Sequence, residues 1–196
     1  MMSIARISGH VLLAMLAVGQ ARPARAENLR DPVARMLSVT GTVLRDPTAG
    51  TLAREHRVRD ATFEAFHFDE MARRSLGAYW ENLNPVQQEE FVRVFGEFFE
   101  RTFSRIVLLF MGERRTRFVE ERIIGSVGVV NTLVEKPPDE PLPVTYLLAY
   151  THERWGIVDV VFNGLSIAQS YRVKFDEVIR GSSYETLVQL MKAKAG

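Results

Sequence analysis

The stretch Phe91–Phe110, FVRVFGEFFERTFSRIVLLF, constrains the fold more than any other part of the chain. It holds six of the twelve phenylalanines. Stepping about 100° per residue from Phe91 places Phe95, Phe98, Thr102, Ile106 and Leu109 within roughly 60° of it. Phe99, Phe103, Phe110, Val92 and Val94 widen the apolar arc to about half the circumference, and Glu89, Arg93, Glu97, Glu100 and Ser104 take the other half. Beyond Arg105 the run IVLLFM has no polar side. Such a helix begins half-buried, ends enclosed and meets apolar material on two sides. Two readings fit. The stripe is plain core, with a sheet on one side and a second helix on the other, or part of it lines a cavity for an apolar ligand. Either partner removes the surface from water at about 25 cal/mol per Å², so the stripe alone does not choose.

The chain has 196 residues, 46 % of them hydrophobic, and no cysteine. That length suffices for one sizeable core without cross-links. The lack of cysteine excludes a disulfide scaffold, a thiolate metal site and a cysteine nucleophile. The first 26 residues read as an export signal. Arg6 supplies a positive start, Ile7 to Ala21 is apolar apart from Ser, Gly, His and Gln, and Ala24-Arg25-Ala26 is a small-x-small cleavage site before Glu27. The apolar part falls short of the ~20 residues of a membrane span; an uncleaved anchor is the alternative. Residues 27–196 then form a single exported domain. Cleavage removes Arg6, Arg22 and Arg25 and no acid, taking the formal charge from +1 to −2. A near-neutral surface of mixed sign offers no electrostatic footprint for nucleic acid.

Beyond the signal the pattern is helical over about 27–111, strand-like over about 114–163 and helical again over about 166–194. Asp31-Pro32 reads as an N-cap with proline at the first helical position. A second helix covers roughly Thr51 to Phe66. Asp69 is placed to cap a short third helix that Gly77 ends, and Asn84-Pro85 opens the phenylalanine helix. RTRFVEERI, VGVVNTLVEK, VTYLLAY and WGIVDVVF alternate as strands, with Gly125-Ser126 at a hairpin and the proline-rich EKPPDEPLP as a loop. Ser166 N-caps a helix starting at Ile167, and Gly181 separates the last two helices. Helices, then strands joined at hairpin length, then helices predict an α+β fold with a four-stranded antiparallel sheet. Val144, Tyr146, Leu148 and Tyr150 share one sheet face. Strict alternation groups Gly156, Val158, Val160 and Phe162 on one face, opposite Trp155, Ile157, Asp159 and Val161. Both faces carry large apolar groups, so helices cover both or one face curves around something.

Little in the chain points to bond-making chemistry. His56, His67 and His152 have no second ligand at metal spacing, and neither a metal nor a cofactor is expected. NGLSIA around Ser166 lacks the closing glycine of a nucleophile elbow. No glycine-rich phosphate loop occurs. Asp159 stands out as an acid inside an apolar strand. It is either a general base with a raised pKa, which would make this an enzyme, or a structural acid hydrogen-bonded to arginine or backbone.

Three blocks carry a family resemblance: FHFDEMARRSLGAYWENLNPVQQEEFVRVFGEFFERTF (Phe66–Phe103), WGIVDVVFNGLSIAQSYRVKF (Trp155–Phe175) and the terminal YETLVQLMKAK. The second follows the pattern W-x-I-x-D-V-x-x-x-G-L-S, then Y-R-x-x-F. Together they resemble the MlaC, or toluene-tolerance, family of periplasmic phospholipid-binding proteins, over essentially the whole exported part. The resemblance implies a curved antiparallel sheet packed with helices, like the nuclear-transport-factor cone, with an N-terminal helical extension. It implies a periplasmic, monomeric, non-enzymatic carrier whose cavity takes phospholipid acyl tails. The partners it implies are an inner-membrane ABC transporter with a ring of MCE domains and an outer-membrane lipoprotein complex. A hopanoid or other polycyclic lipid is the alternative cargo. On this reading the tail site comprises Phe91, Phe95, Phe98, Val144, Tyr146, Leu148, Val158, Val160 and Phe162. Met71, Leu76 and Tyr79 lie near the mouth. Long apolar side chains then favour two-tailed amphiphiles over any particular head group.

Overall fold

A computed structural model describes residues 29–46, 48–111 and 114–195; the export signal assigned to residues 1–26 lies outside them. The elements run α1 (Asp31–Arg45), α2 (Thr51–Ala65), α3 (Phe68–Leu76), a 3-10 turn (Gly77–Asn82), α4 (Pro85–Met111), β1 (Arg115–Ile124), β2 (Val127–Glu135), β3 (Leu142–Thr151), β4 (Arg154–Phe162), β5 (Leu165–Ser166), α5 (Ile167–Gly181) and α6 (Tyr184–Ala195). No helix among the described residues is long and apolar enough to cross a membrane.

Local chemistry sets the helix ends. Asn84 Oδ1 accepts from the Gln87 amide and Gln87 Oε1 accepts from the Asn84 amide, each at 3.0 Å, so α4 opens on a reciprocal cap ahead of Pro85. Ser166 Oγ accepts from the Gln169 amide and caps α5. Gly77 ends α3 with φ +62°, a conformation that side chains resist. Two expected caps do not form. Arg30, already in helical backbone conformation, precedes α1, which leaves Asp31 inside the first turn. His67 precedes α3, and Asp69 sits in its first turn, where a carboxylate favours the positive helix end.

The sheet is an open antiparallel meander in the order β1-β2-β3-β4-β5. It has five strands rather than four. Leu165 and Ser166 fold back on Phe162 and Val161 through Asn163-Gly164, both with positive φ, as a tight two-residue hairpin requires. A second correction concerns β4. Leu147 pairs with Asp159 but Leu148 pairs with Ile157, so Val158 is the extra residue of a bulge. The bulge shifts the alternation by one. Trp155 and Ile157 join Val160 and Phe162 on the face of Tyr146 and Leu148, whereas Val158 is buried outside that cluster. The core face comprises alternate residues of β2 (Val130, Thr132, Val134) and β3 (Val144, Tyr146, Leu148), with these four from β4.

The outer edge of β4 is covered twice. β5 pairs with its end, and Phe66 makes an isolated parallel bridge to Ile157. The His67 amide donates to the Ile157 carbonyl at 2.9 Å. α4 lies between helices, with α2 and α3 on one flank and α6 on the other, while α1, α3 and α5 touch β4. Its two apolar sides therefore meet helical neighbours first, and its rings complete the core above the sheet.

Candidate functional site

The phenylalanines of α4 form a closed aromatic stack. Phe91, Phe95, Phe99 and Phe103 follow one another at centroid spacings of 6.1, 6.0 and 5.2 Å. Phe175 of α5 stands edge-on to both Phe91 and Phe95 at 6.1 Å. Tyr171 stands edge-on to Phe95 at 5.8 Å and to Phe98 at 5.5 Å. At the other end Phe66 tilts against Phe99 and meets Phe103 edge-on. Offset and edge-to-face rings at these distances are the favoured aromatic arrangements.

The structure brings Met71, Leu76, Phe91, Phe95, Phe98, Val144, Tyr146, Leu148 and Val160 into one buried core, with Tyr79 and Phe162 at its margin. Burial pushes the Tyr146 phenol far up, so it stays neutral. Tyr79 donates to Asp176 Oδ1 at 2.9 Å, which ties the 3-10 turn to α5. None of the twelve predicted residues, Val158 included, lines either of the two grooves described next.

The first groove, about 1150 Å³, runs between α2, α3 and α4. Phe63, Phe66, Phe68, Val92 and Gly96 give it apolar walls, and its rim carries charges of both signs. Two of its arginines are paired with acids of the same rim. Arg59 lies 3.7 Å from Glu100 and Arg93 lies 3.0 Å from Glu97. Burial raises the pKa of Glu100 in spite of the opposing Arg59. At one end His67 lies under Arg154, whose guanidinium donates to the Glu64 and Phe66 carbonyls at 3.1 and 3.3 Å. A Cβ on Gly156 would collide with the His67 ring, so glycine there is the condition for this packing. His152 Nε2 meets Asp69 Oδ2 at 2.8 Å.

The second groove, about 800 Å³, opens between α1 and β1. Ala34, Leu37, Leu44 and Phe118 supply its apolar lining, and Arg45, Arg114 and Arg115 its charge. Leu37 and Phe118 also pack against the buried core, so this groove continues inward to the sheet–helix interface. Register places Phe118 opposite Thr132 and Thr116 opposite Val134, both on the core face. The sequence signal for this opening is modest: Phe118 is the lone aromatic in a strand that is otherwise mostly charged.

Asp159 is occupied. Its Oδ2 accepts from Ser166 Oγ at 2.6 Å and its Oδ1 from the Ala168 amide at 3.0 Å, so it fastens the start of α5 to β4. Both oxygens serve the fold, in keeping with the structural reading of this acid. Among the described residues, no group of three or more His, Asp or Glu is placed to hold a metal ion. The arrangement is suited to binding an amphiphile: apolar walls continuous with a core, and a charged mouth.

The family model of the MlaC protein matches residues 37–193. Among solved structures, the phospholipid-binding protein of Ralstonia solanacearum, determined in complex with a phospholipid, superposes with a TM-score of 0.70. It shares 21 % identity, and the match covers 85 % of this chain and 96 % of that one. A comparison with curated protein sequences gives no match.

Proposed function

The chain belongs to the MlaC family, and we propose that it is a soluble periplasmic carrier of phospholipid. It holds the acyl tails at the sheet–helix interface and moves lipid between the outer and inner membranes. The observation that carries this reading is the α1–β1 groove, whose apolar lining runs into the core through Leu37 and Phe118. The like-folded Ralstonia protein, solved with a phospholipid, supports the ligand class.

Solvation explains why such a carrier exists. Each methylene moved from a bilayer into water costs about 0.8 kcal/mol, so a sixteen-carbon tail costs on the order of 12 kcal/mol. Free lipid does not cross an aqueous gap at a useful rate. A carrier substitutes an apolar interior for the bilayer and needs no catalytic group, because no bond changes. The tails enter between α1 and β1 and lie against the sheet, while the α4 stack behind them stays closed as solid core. Docking partners on this reading are an inner-membrane ABC transporter with an MCE-domain ring and an outer-membrane lipoprotein complex.

The test is organic extraction of the protein purified from a host that exports it, followed by mass spectrometry. A lipid with two acyl chains is expected. Phe118→Glu and Leu37→Glu, both at half-buried positions, should stay folded and lose the cargo. Absence of lipid, with no uptake from phospholipid vesicles, overturns the proposal. A bound triterpenoid reassigns the carrier to polycyclic lipids.

A further inference from the structure

Resting on that carrier reading, we propose that the α1–β1 groove selects phospholipids with net negative head groups, through Arg45 and Arg114 at its mouth. Three arginines border this groove, and among the described residues no carboxylate does. The α2–α4 groove is different, with acids in excess of arginines around it. The smaller grooves each include a carboxylate as well.

The two arginines are held without being used up. Arg45 Nε donates to the Gly41 carbonyl at 2.8 Å, which lays its side chain back along the last turn of α1. The Nη groups remain for a ligand; a guanidinium carries five donors in a fixed fork that matches phosphate oxygens. Arg114 Nη2 lies 3.4 Å from Asp139 Oδ2, a long contact to a half-exposed acid. That contact orients the guanidinium, which also borders the groove. Arg115 lies opposite Glu135 in the register, on the strand face away from the core, so it contributes less; Glu135 itself holds Arg117 at 3.0 Å. Arg30 sits 3.7 Å over the Phe118 ring and adds positive potential beside the opening.

Every phospholipid brings a phosphate to these guanidiniums. A zwitterionic head group also brings an ammonium; the groove lining gives it no carboxylate, and the acid beside the mouth, Asp139, already faces Arg114. An anionic head group brings no such mismatch. The phosphate contacts are common to both classes, so the preference comes from the ammonium set against the guanidiniums; such a like-charge juxtaposition, screened at an open mouth, gives about a tenfold preference.

The experiment loads lipid-free protein from vesicles of phosphatidylglycerol or phosphatidylcholine with identical acyl chains and reads occupancy by native mass spectrometry. The parent should take phosphatidylglycerol about tenfold better, with the margin shrinking as salt rises. Arg45→Gln/Arg114→Gln should take both about equally, and each single variant should fall between. Equal loading by the parent overturns head-group selection and leaves the carrier reading standing. A preference that survives in the double variant overturns the assignment to these arginines. Failure of the parent to load either lipid overturns the carrier reading and this inference together. Inorganic phosphate alone is the last arm. Weak binding, without displacement of lipid, is expected; phosphate bound as tightly as phosphatidylglycerol makes this a free-anion site and overturns the lipid assignment.

Discussion

Truncating Phe95 to alanine separates a solid aromatic core from a cavity wall. The ring is fully buried and lies within 5.8–6.1 Å, centroid to centroid, of Phe91, Phe99, Tyr171 and Phe175. Losing a buried side chain of this size forfeits about 1.5–3 kcal/mol of transfer free energy. The four ring contacts add to that, at about 0.5–1.5 kcal/mol for each pair and less than additively. A gap bounded by other rings does not collapse easily, so the residual cavity adds a further penalty. The total is about 4 kcal/mol. For a chain of this length that lowers the melting temperature by roughly 2–4 °C per kcal/mol, or about 10 °C. Lipid-free Phe95→Ala is to be measured by denaturant and thermal unfolding beside the parent, and its bound lipid profiled by mass spectrometry. If tails lay against Phe95, removal of the ring would enlarge their space. A stability loss below about 1 kcal/mol with a shift of cargo toward longer acyl chains would refute the closed stack as argued.

Two further outcomes follow from buried polar groups. Asp159→Ala leaves the Ser166 hydroxyl and the buried Ala168 amide without their acceptor, which should cost about 2–4 kcal/mol in guanidinium unfolding. Asp159→Asn keeps one acceptor and should cost about half as much, and an unchanged midpoint in both removes the capping role. His67 makes the second case: burial first, and the neighbouring Arg154 charge next, hold its pKa below the ordinary imidazole range, with Asp69 and His152 also facing it. The unfolded chain therefore takes up the proton more readily, so the stability from neutral His67 is complete above about pH 6.5 and is lost as pH falls below it. His67→Gln should flatten the pH dependence below about pH 6.5, and identical slopes in parent and variant would show that His67 does not control it.

What the sequence discloses tracks how local the deciding interaction is. The α4 start follows from Asn84, Pro85 and Gln87, which lie within four residues of one another. Ser166 declares the start of α5 by the same short-range logic. The aromatic period of α4 shows that the helix is buried on two sides, but burial is silent about what covers it. The stripe meets Tyr171, Phe175 and Phe66, residues roughly 30 to 80 positions away along the chain from their partners. Strand faces fail for a sharper reason. Period-two alternation assumes one residue per step, and the bulge at Val158 adds one. Nothing in WGIVDVVF marks it, because every residue there except Gly156 and Asp159 is apolar. Asn163-Gly164 is a strong hairpin signature, but the two residues after it are too few for any period to show, and β5 is absent from the four-strand expectation. The α1–β1 groove escapes period analysis altogether, since Leu37, Phe118 and the arginines come from elements about 70 residues apart.

The bulge also bears on how firmly each edge of the sheet is tied to the rest of the fold. Because Val158 is extra, Trp155 and Ile157 turn into the core while Gly156 and Asp159 stay on the opposite face. Gly156 there receives the His67 ring at the start of α3, and Asp159 pins the start of α5. Those two helices supply Met71, Leu76 and Phe175 to the core and back the α4 stack. β4 thus anchors the helical wall from its edge by backbone pairing, a buried ring and a buried carboxylate. β1, at the far end of the sheet, buries none of its residues and is tied to the fold mainly through β2. Local opening takes least free energy where few apolar contacts are lost. On the carrier reading, separation of α1 from β1 is the least costly way to admit hydrocarbon, and the arginine-bordered groove already lies along that seam.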